Sequence, residues 1–171
     1  MLQLRCTGKI QKEFKLKPSE LSEILEPDST LGNWYINISI IDRRKTLLFM
    51  NEKTLLSFIV YGIKKSNIGH IHEIFLKSLG QLLLIEGVNF TVINKLNNEY
   101  CNLEYTKTNS KNLLGNMNDL MHLYKHFIYS NGGFKHCDLD EIIKKTNRIP
   151  KKNIAWSDSI NLTKKSLPSK K

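Results

Sequence analysis

Hydrophobic and polar residues alternate at the start of the chain, in LQLRCT at residues 2–7, and this period of two predicts a half-buried strand. Farther on, residues 33–42, 46–51 and 54–62 are rich in β-branched and aromatic side chains. Only RRK and EK connect these three runs, so neighbouring strands must be antiparallel. We therefore expect a three-stranded meander, and the runs VNFTVINKL and YCNLEYTKT predict a further hairpin over residues 88–108.

Apolar residues return at helical spacing in two longer segments. Residues 66–87 carry one such stripe, with Ser66 as the N-cap and Gly87 at the C-terminus. Residues 117–130 carry a second stripe that ends at NGG. Shorter helices are predicted in KPSELSEILEP and in DLDEIIKKTNRIP, where Asp138 would be the N-cap.

These elements place the chain in the α+β class. We expect a single domain over residues 1–150, with a mainly antiparallel sheet of about six strands. Two long amphipathic helices and several shorter ones would pack on this sheet. The remaining residues, 151–171, show little periodicity and hold many lysines, which predicts a basic, partly disordered C-terminal tail with Trp156 docked on the domain.

Composition narrows the expected compartment. The chain has 171 residues, and it contains no run of about 18 apolar residues, so we expect no membrane partner. The N-terminal stretch MLQLRCTGKI carries charge and lacks the long apolar region of a signal peptide. Three widely spaced cysteines, Cys6, Cys101 and Cys137, form no C-x-x-C motif, which favours free thiols in a reducing cytoplasm.

The net charge of +10 resembles that of nucleic-acid-binding proteins, but two features reduce its weight. Lysine outnumbers arginine 22 to 4, a bias that an AT-rich genome produces without any ligand. Residues 150–171 hold six lysines and one aspartate, so +5 of the +10 lies in the tail. The charge run is therefore either a solvated tail or an arm that seeks phosphates.

A polar cluster in the segment TNSKNLLGNMNDL has two interpretations. In the first, Asn116 is the N-cap of the following helix and Asp119 completes a motif close to a capping box. In the second, Lys111, Asn118 and Asp119 form a ligand or catalytic site, in which the carboxylate binds a metal or acts as a base. The segment contains no P-loop motif.

Arginine is rare in this chain, and a planar guanidinium binds phosphate or carboxylate in a way that lysine does not. The turn DRRK places three cations side by side. It is either a solvated turn with ion pairs to Asp42 or Glu52, or a polyanion contact. The candidate polyanion-binding residues are Arg43, Arg44, Lys45, Lys111 and Arg148.

Other motifs are less specific. His122 and His126 are spaced so that they lie on one side of a helix, but H-E-x-x-H is absent and we predict no metal site and no cofactor. A helix-turn-helix formed by the last two helices is disfavoured, because seven residues join them where three or four are usual. No hydrolase, kinase or Rossmann signature is present.

Several stretches together resemble a known family. LGNWYINI, DRRKTLLFMNEKTLLSF, YTKTNSKNLLGNMNDL and NRIP are similar to motifs of a family of small bacterial proteins, a domain of unknown function often associated with plasmids or mobile elements. The resemblance covers residues 1 to about 150 and implies no established activity. The matching positions are Trp34, Asn37, Arg43, Arg44, Asn51, Lys111, Gly115, Met117, Asn118, Asp119, Asn147, Arg148 and Pro150.

Three functions are consistent with these observations. The first is a cytoplasmic, non-enzymatic accessory protein that binds nucleic acid or another polyanion through the five candidate residues. The second is a metal-dependent enzyme that acts on nucleotides or nucleic acid through Asn118, Asp119 and Lys111. The third is a protein-interaction module of a toxin–antitoxin or defence system, which predicts an exposed apolar patch of several hundred Å².

Overall fold

One six-stranded mixed sheet forms the centre of the molecule. The computed structural model describes residues 1–168. The strands are Leu2–Cys6 (β1), Leu21–Ser22 (β2), Trp34–Ile41 (β3), Arg44–Asn51 (β4), Ser57–Tyr61 (β5) and Leu103–Lys107 (β6). Their order across the sheet is β2-β6-β1-β3-β4-β5.

Helices cover both faces of this sheet. Because side chains alternate along a strand, each face receives its own set of apolar residues. On one face the Phe75 ring lies 5.2 Å from Trp34 and 5.4 Å from Phe49, and on the other the Tyr124 and Ser57 hydroxyls are 3.0 Å apart. Within residues 1–168 the α-helices are Gly8–Glu13 (α1), Ile71–Ile85 (α2), Phe90–Glu99 (α3), Lys111–Ser130 (α4), Leu139–Asn147 (α5) and Ser159–Ser166 (α6).

The α+β class and the meander are confirmed. Strands β3, β4 and β5 pair antiparallel. The first connection is a two-residue loop in which Asp42 and Arg43 both have positive φ, +46° and +61°, as a type I′ hairpin turn requires. The sheet is mixed and not mainly antiparallel as expected, since β1 pairs parallel with β3 and β6, and β6 pairs parallel with β2. Long connections that contain helices make this parallel arrangement accessible.

The hairpin predicted over residues 88–108 is wrong. Its first half forms α3, with the Asn89 side chain accepting a hydrogen bond from the Thr91 amide at 2.8 Å. The buried residues Ile93 and Leu96 are three positions apart, which is helical spacing. Only Leu103–Lys107 of the second half is a strand, and it pairs parallel with β1.

The helix predicted in KPSELSEILEP is also wrong. Only a 3-10 turn, Pro18–Glu20, precedes the short strand β2. Side chains of β1 hold the segment extended: the side-chain oxygen of Gln3 accepts from the Leu25 amide at 3.0 Å, and the Arg5 guanidinium donates to the Leu25 carbonyl at 3.3 Å. These tertiary hydrogen bonds replace the helical ones. In contrast, α1 was not expected from the sequence.

The long helix α4 begins earlier than predicted. Ser110 is its N-cap and accepts a hydrogen bond from the Leu113 amide at 3.2 Å. Asn116 is therefore inside the helix, and its predicted capping role is wrong. The prediction for residues 66–87 is confirmed in outline, because a 3-10 turn, Lys65–His70, leads into α2. The predicted N-cap is wrong: Ser66 is inside this turn, and His70 is the N-cap of α2. The Asp138 cap is confirmed as well.

The C-terminal segment carries the helix α6. Ile160 is buried there, and the Thr163 hydroxyl donates to the Thr54 hydroxyl at 2.9 Å. The predicted docking of Trp156 is wrong, since 68% of this residue is exposed. The final residues 169–171, on which part of the predicted disorder falls, lie outside the described residues. Within residues 1–168 no helix has the length and apolar character needed to cross a membrane.

Candidate functional site

Lysine side chains converge around a cavity at the C-terminal end of β3. Its volume is about 670 Å³. We call it the lysine cavity; it is lined by Lys9, Lys12, Lys15, Lys45, Lys65 and Lys125 together with Glu13, Ile38, Ser39 and Ile40.

Separate segments of the fold bring these lysines together. Lys9 and Lys12 are three residues apart on α1, so they share one side of that helix. Thr7 fixes the start of α1, because its hydroxyl accepts from the Ile10 amide and donates to the Asn37 side chain. Lys15 follows the end of α1, and the other three lysines come from β4, from the 3-10 turn before α2, and from α4.

The floor of the lysine cavity is an open strand edge. Strand β1 pairs with β3 only as far as Ile36, so the C-terminal half of β3 has no neighbouring strand on that side. The register with β4 turns the backbone groups of Ile38 and Ile40 toward this open side. Among residues 1–168 the Ile40 amide and carbonyl form no hydrogen bond, and 56% of Ile40 is exposed. Ile40, which lines the cavity together with the lysines, therefore offers a free N–H donor.

The charge around the lysine cavity is strongly unbalanced. Lys45 forms an ion pair with Glu13. Within residues 1–168 the other five lysines have no carboxylate within 4.0 Å. Six lysines against one glutamate give the lining a formal charge of +5. A concave surface of a single charge sign concentrates counter-ions of the opposite sign, so this site favours an anionic ligand.

The hairpin tip beside the cavity holds two of the predicted arginines. Asp42 anchors this tip: its amide donates to the Tyr129 hydroxyl at 2.8 Å and its carboxylate accepts from the Phe134 amide at 2.9 Å. Arg43 is exposed, and the Arg44 guanidinium lies 5.3 Å from the centre of the Tyr61 ring. The predicted solvated turn is thus tied to the loop after α4, although its arginines remain accessible.

Arg44 and Lys45 point to opposite faces of the sheet, because they are neighbours in a strand. Lys45 reaches the lysine cavity, whereas Arg44 lies on the face covered by α4. Lys111 begins α4, and about 27 Å of helix separates it from Tyr129, which contacts the hairpin tip. The structure therefore does not bring Lys111 to the lysine cavity.

Arg148 is held by an internal partner. Its guanidinium donates to both carboxylate oxygens of Glu86, at 2.7 Å and 2.5 Å, and these hydrogen bonds raise the pKa of Arg148. Glu86 is 5% exposed. A buried carboxylate needs such a bidentate partner, so Arg148 ties α5 to α2.

The candidate catalytic residues are on α4. Asn118 and Asp119 are exposed and follow Lys111 by about two turns of the helix. The neighbouring Asn116 accepts a hydrogen bond from the Asn153 side chain. Within residues 1–168 no three His, Cys, Asp or Glu side chains are placed to hold a metal ion together.

Sequence reasoning missed most of the lysine cavity, since only Lys45 was a candidate. One signal was present: Lys9, Lys12 and Lys15 recur every three residues in GKIQKEFK. It carried little weight in a chain that uses lysine throughout. The contribution of Lys65 and Lys125 depends on tertiary packing and has no local signal.

The fold and the cavity define an α+β domain with a mixed sheet and a basic concave surface at one end of the sheet. The chain belongs to the family described as Domain of unknown function (DUF6933), which matches residues 3–162. The resemblance to an uncharacterised family is thereby confirmed, and the match extends past Pro150 into α6. The association with bacteria and mobile elements stays a prediction. No curated protein matches the sequence.

Proposed function

We propose that this protein is a non-enzymatic, cytoplasmic accessory protein that binds nucleic acid through the lysine cavity. The observation that carries the proposal is the convergence of six lysines, with one carboxylate among them, on an open strand edge. Phosphate groups match this chemistry, because ammonium groups neutralise them and release bound counter-ions.

The backbone also fits a phosphate ligand. The free Ile40 amide adds a directed hydrogen-bond donor to the ammonium groups of the cavity. Backbone amides and lysines recur as phosphate contacts that position a nucleic acid without reading its sequence. Arg43, exposed at the nearby hairpin tip, extends the basic surface beyond the cavity. We therefore expect binding with little sequence preference.

The experiment is a salt series of fluorescence anisotropy with labelled single-stranded DNA, RNA and duplex DNA. The full chain is compared with Lys9→Gln/Lys12→Gln/Lys125→Gln. Since each neutralised phosphate contributes about 0.7 to 0.9 to the logarithmic salt slope, the triple variant should lose about 2 to 3 from that slope. Its affinity at low salt should fall at least about tenfold, because three phosphate contacts are lost.

A matched control removes the same charge elsewhere. Lys77, Lys95 and Lys164 are exposed and lie outside the cavity lining. Their simultaneous change to glutamine should leave most of the affinity and the salt slope. Equal losses in both triple variants would mean that net charge alone attracts the nucleic acid, and would overturn the proposed site.

The enzyme alternative, with Asn118, Asp119 and Lys111, stays a prediction from the sequence. The interaction-module alternative has an observation of its own at the edge strand β5, which is separated from β3 by β4.

A further inference from the structure

Strand β5 is the last strand of the sheet on the side away from β2. The Asn51 amide donates to the Leu56 carbonyl at 2.8 Å, which sets the alternation of hydrogen bonds along the β4–β5 pair. Phe58 and Val60 therefore direct their backbone groups to β4, and Ile59 and Tyr61 direct theirs outward. Among residues 1–168 no hydrogen bond reaches the backbone groups of Ile59 or Tyr61.

The remaining outward residue of β5, Ser57, already has a partner. Its amide donates to the side-chain oxygen of Asn147 at 2.8 Å, and its carbonyl accepts from the side-chain nitrogen of Asn147 at 2.7 Å. One side-chain amide thus supplies the donor and the acceptor that the backbone of a neighbouring strand would supply. The edge of β5 accepts a peptide-like group at Ser57. At the next two outward positions the same backbone groups have no hydrogen-bond partner among residues 1–168; Tyr61 is 37% exposed, and Ile59, at the bottom of the groove, is 3% exposed.

Two helices form walls along this free edge and enclose a cavity of about 170 Å³. On one side Leu82 and Ile85 of α2 line the cavity, and on the other Leu139 and Ile143 of α5 do so. The lining includes one acidic and one basic residue, Asp140 and Lys144, so it carries no net charge. We call this surface the β5 groove; its floor is residues 58–61.

We infer that the β5 groove binds an extended peptide segment of a partner protein, which adds a seventh strand to the sheet beside β5. Strand addition is a recurrent mode of peptide recognition, in which main-chain hydrogen bonds supply affinity and wall pockets supply specificity. Successive side chains of the peptide would face α2 and α5 in turn. Each wall offers two apolar side chains beside polar ones, which are Ser78 and Gln81 on α2 and Asp140 and Lys144 on α5, and the lining carries no net charge. The segment therefore carries uncharged apolar residues at successive positions.

A single extended segment fits better than a second copy of this chain. The edge of β5 is recessed between α2 and α5, and a second β5 would bring its own two helices into the same space. This inference does not depend on the lysine cavity, which is at the C-terminal end of β3.

The experiment selects random peptides displayed on phage with the full chain, and then measures the affinity of the enriched peptides. Ile85 lines the groove and is 39% exposed, whereas the next residue, Leu84, is 58% exposed and outside the lining. We expect enriched peptides with adjacent apolar residues. Ile85→Asp should weaken their binding at least about tenfold, and Leu84→Asp should leave it nearly unchanged.

Amide hydrogen exchange locates the peptide independently of the variants. Binding should slow the exchange of the Ile59 and Tyr61 amides more than that of any other amide in the sheet. Failure to enrich any peptide, equal effects of the two substitutions, or protection elsewhere would overturn the inference. A dimer of the free protein that Ile85→Asp abolishes would also overturn it, because the occupant would then be a second copy.

Discussion

Asn147 shows how one buried side chain joins distant parts of this chain. Besides its two hydrogen bonds to the Ser57 backbone and one from the Ser57 hydroxyl, it donates to the Ile143 carbonyl in its own helix at 2.9 Å. Ser57 lies 90 residues earlier in the sequence. The NRIP motif therefore has a structural meaning for Asn147 and Arg148 that sequence spacing does not reveal, because both partners, Ser57 and Glu86, are far away along the chain.

We expect Asn147→Ala to lower the free energy of unfolding by about 2 to 3 kcal/mol. The change leaves the buried Ser57 amide without an acceptor, although the Ser57 carbonyl keeps its hydrogen bond from the Tyr124 hydroxyl. Urea unfolding measures the effect, and Asn98→Ala, at an exposed position of α3, is the control. A loss no larger than that of the control would mean that Asn147 does not hold the strand edge.

At the scale of elements, a strong hydrophobic periodicity was the pattern that predicted helices and strands correctly. The meander and the helix within residues 66–87 each have a clear hydrophobic period, and both are confirmed, although α2 begins at Ile71 and not at the predicted cap Ser66. VNFTVINKL is a short apolar run, for which strand and helix give similar patterns, and its helix is fixed by packing. The six-residue helix α1 buries only Ile10 among its own residues, so its pattern is too short to detect.

The open edge of β5 predicts an alternation in amide hydrogen exchange. In the free protein the amides of Phe58 and Val60, which donate to β4, should exchange slowly. Those of Ile59 and Tyr61, which have no acceptor among residues 1–168, should exchange much faster. Residue-resolved exchange by NMR checks this pattern, with the doubly flanked strand β4 as the reference. Uniform protection along β5 would show that its edge is already covered in solution.

At the scale of the whole molecule, the sheet order is the feature that the sequence predicted least. Strand β1 pairs with strands that begin at Trp34 and Leu103, and no local pattern specifies such distant parallel neighbours. The same strand arrangement creates the lysine cavity. Strand β1 ends at Cys6, opposite Ile36, so the C-terminal half of β3 has no neighbouring strand there and packs beside α1. The site is thus a consequence of topology, and for that reason only Lys45 was found from the sequence.

Assembly also buries several groups that ionise at alkaline pH. Burial raises the pKa of the Cys6 thiol and of the Tyr105 hydroxyl to about 12, and it raises the pKa of Tyr100 and Tyr124 as well. The stabilisation that these groups give is complete when the pH is below their ordinary pKa values, 9.0 for cysteine and 10.0 for tyrosine. It is lost as the pH rises from there toward the pKa values that the groups have in the folded protein. Lys151 acts in the opposite direction, because burial lowers its pKa from 10.5 to about 8.

We therefore expect the stability to rise slightly between about pH 8 and 9 and to fall steeply above about pH 10. Between pH 8 and 10.5 the unfolded chain keeps the Lys151 proton that the folded chain has released, so this group favours folding as the pH increases. Above pH 10 the stability lost through the tyrosines and Cys6 exceeds the stability gained through Lys151. Urea midpoints across this range, with tyrosinate absorbance in parallel, check the curve. Lys151→Gln should remove the rise and leave the fall, whereas Lys152→Gln, at an exposed neighbour, should alter neither. A midpoint that stays constant above pH 10 would mean that the phenols ionise without unfolding, and hence that they are accessible to water.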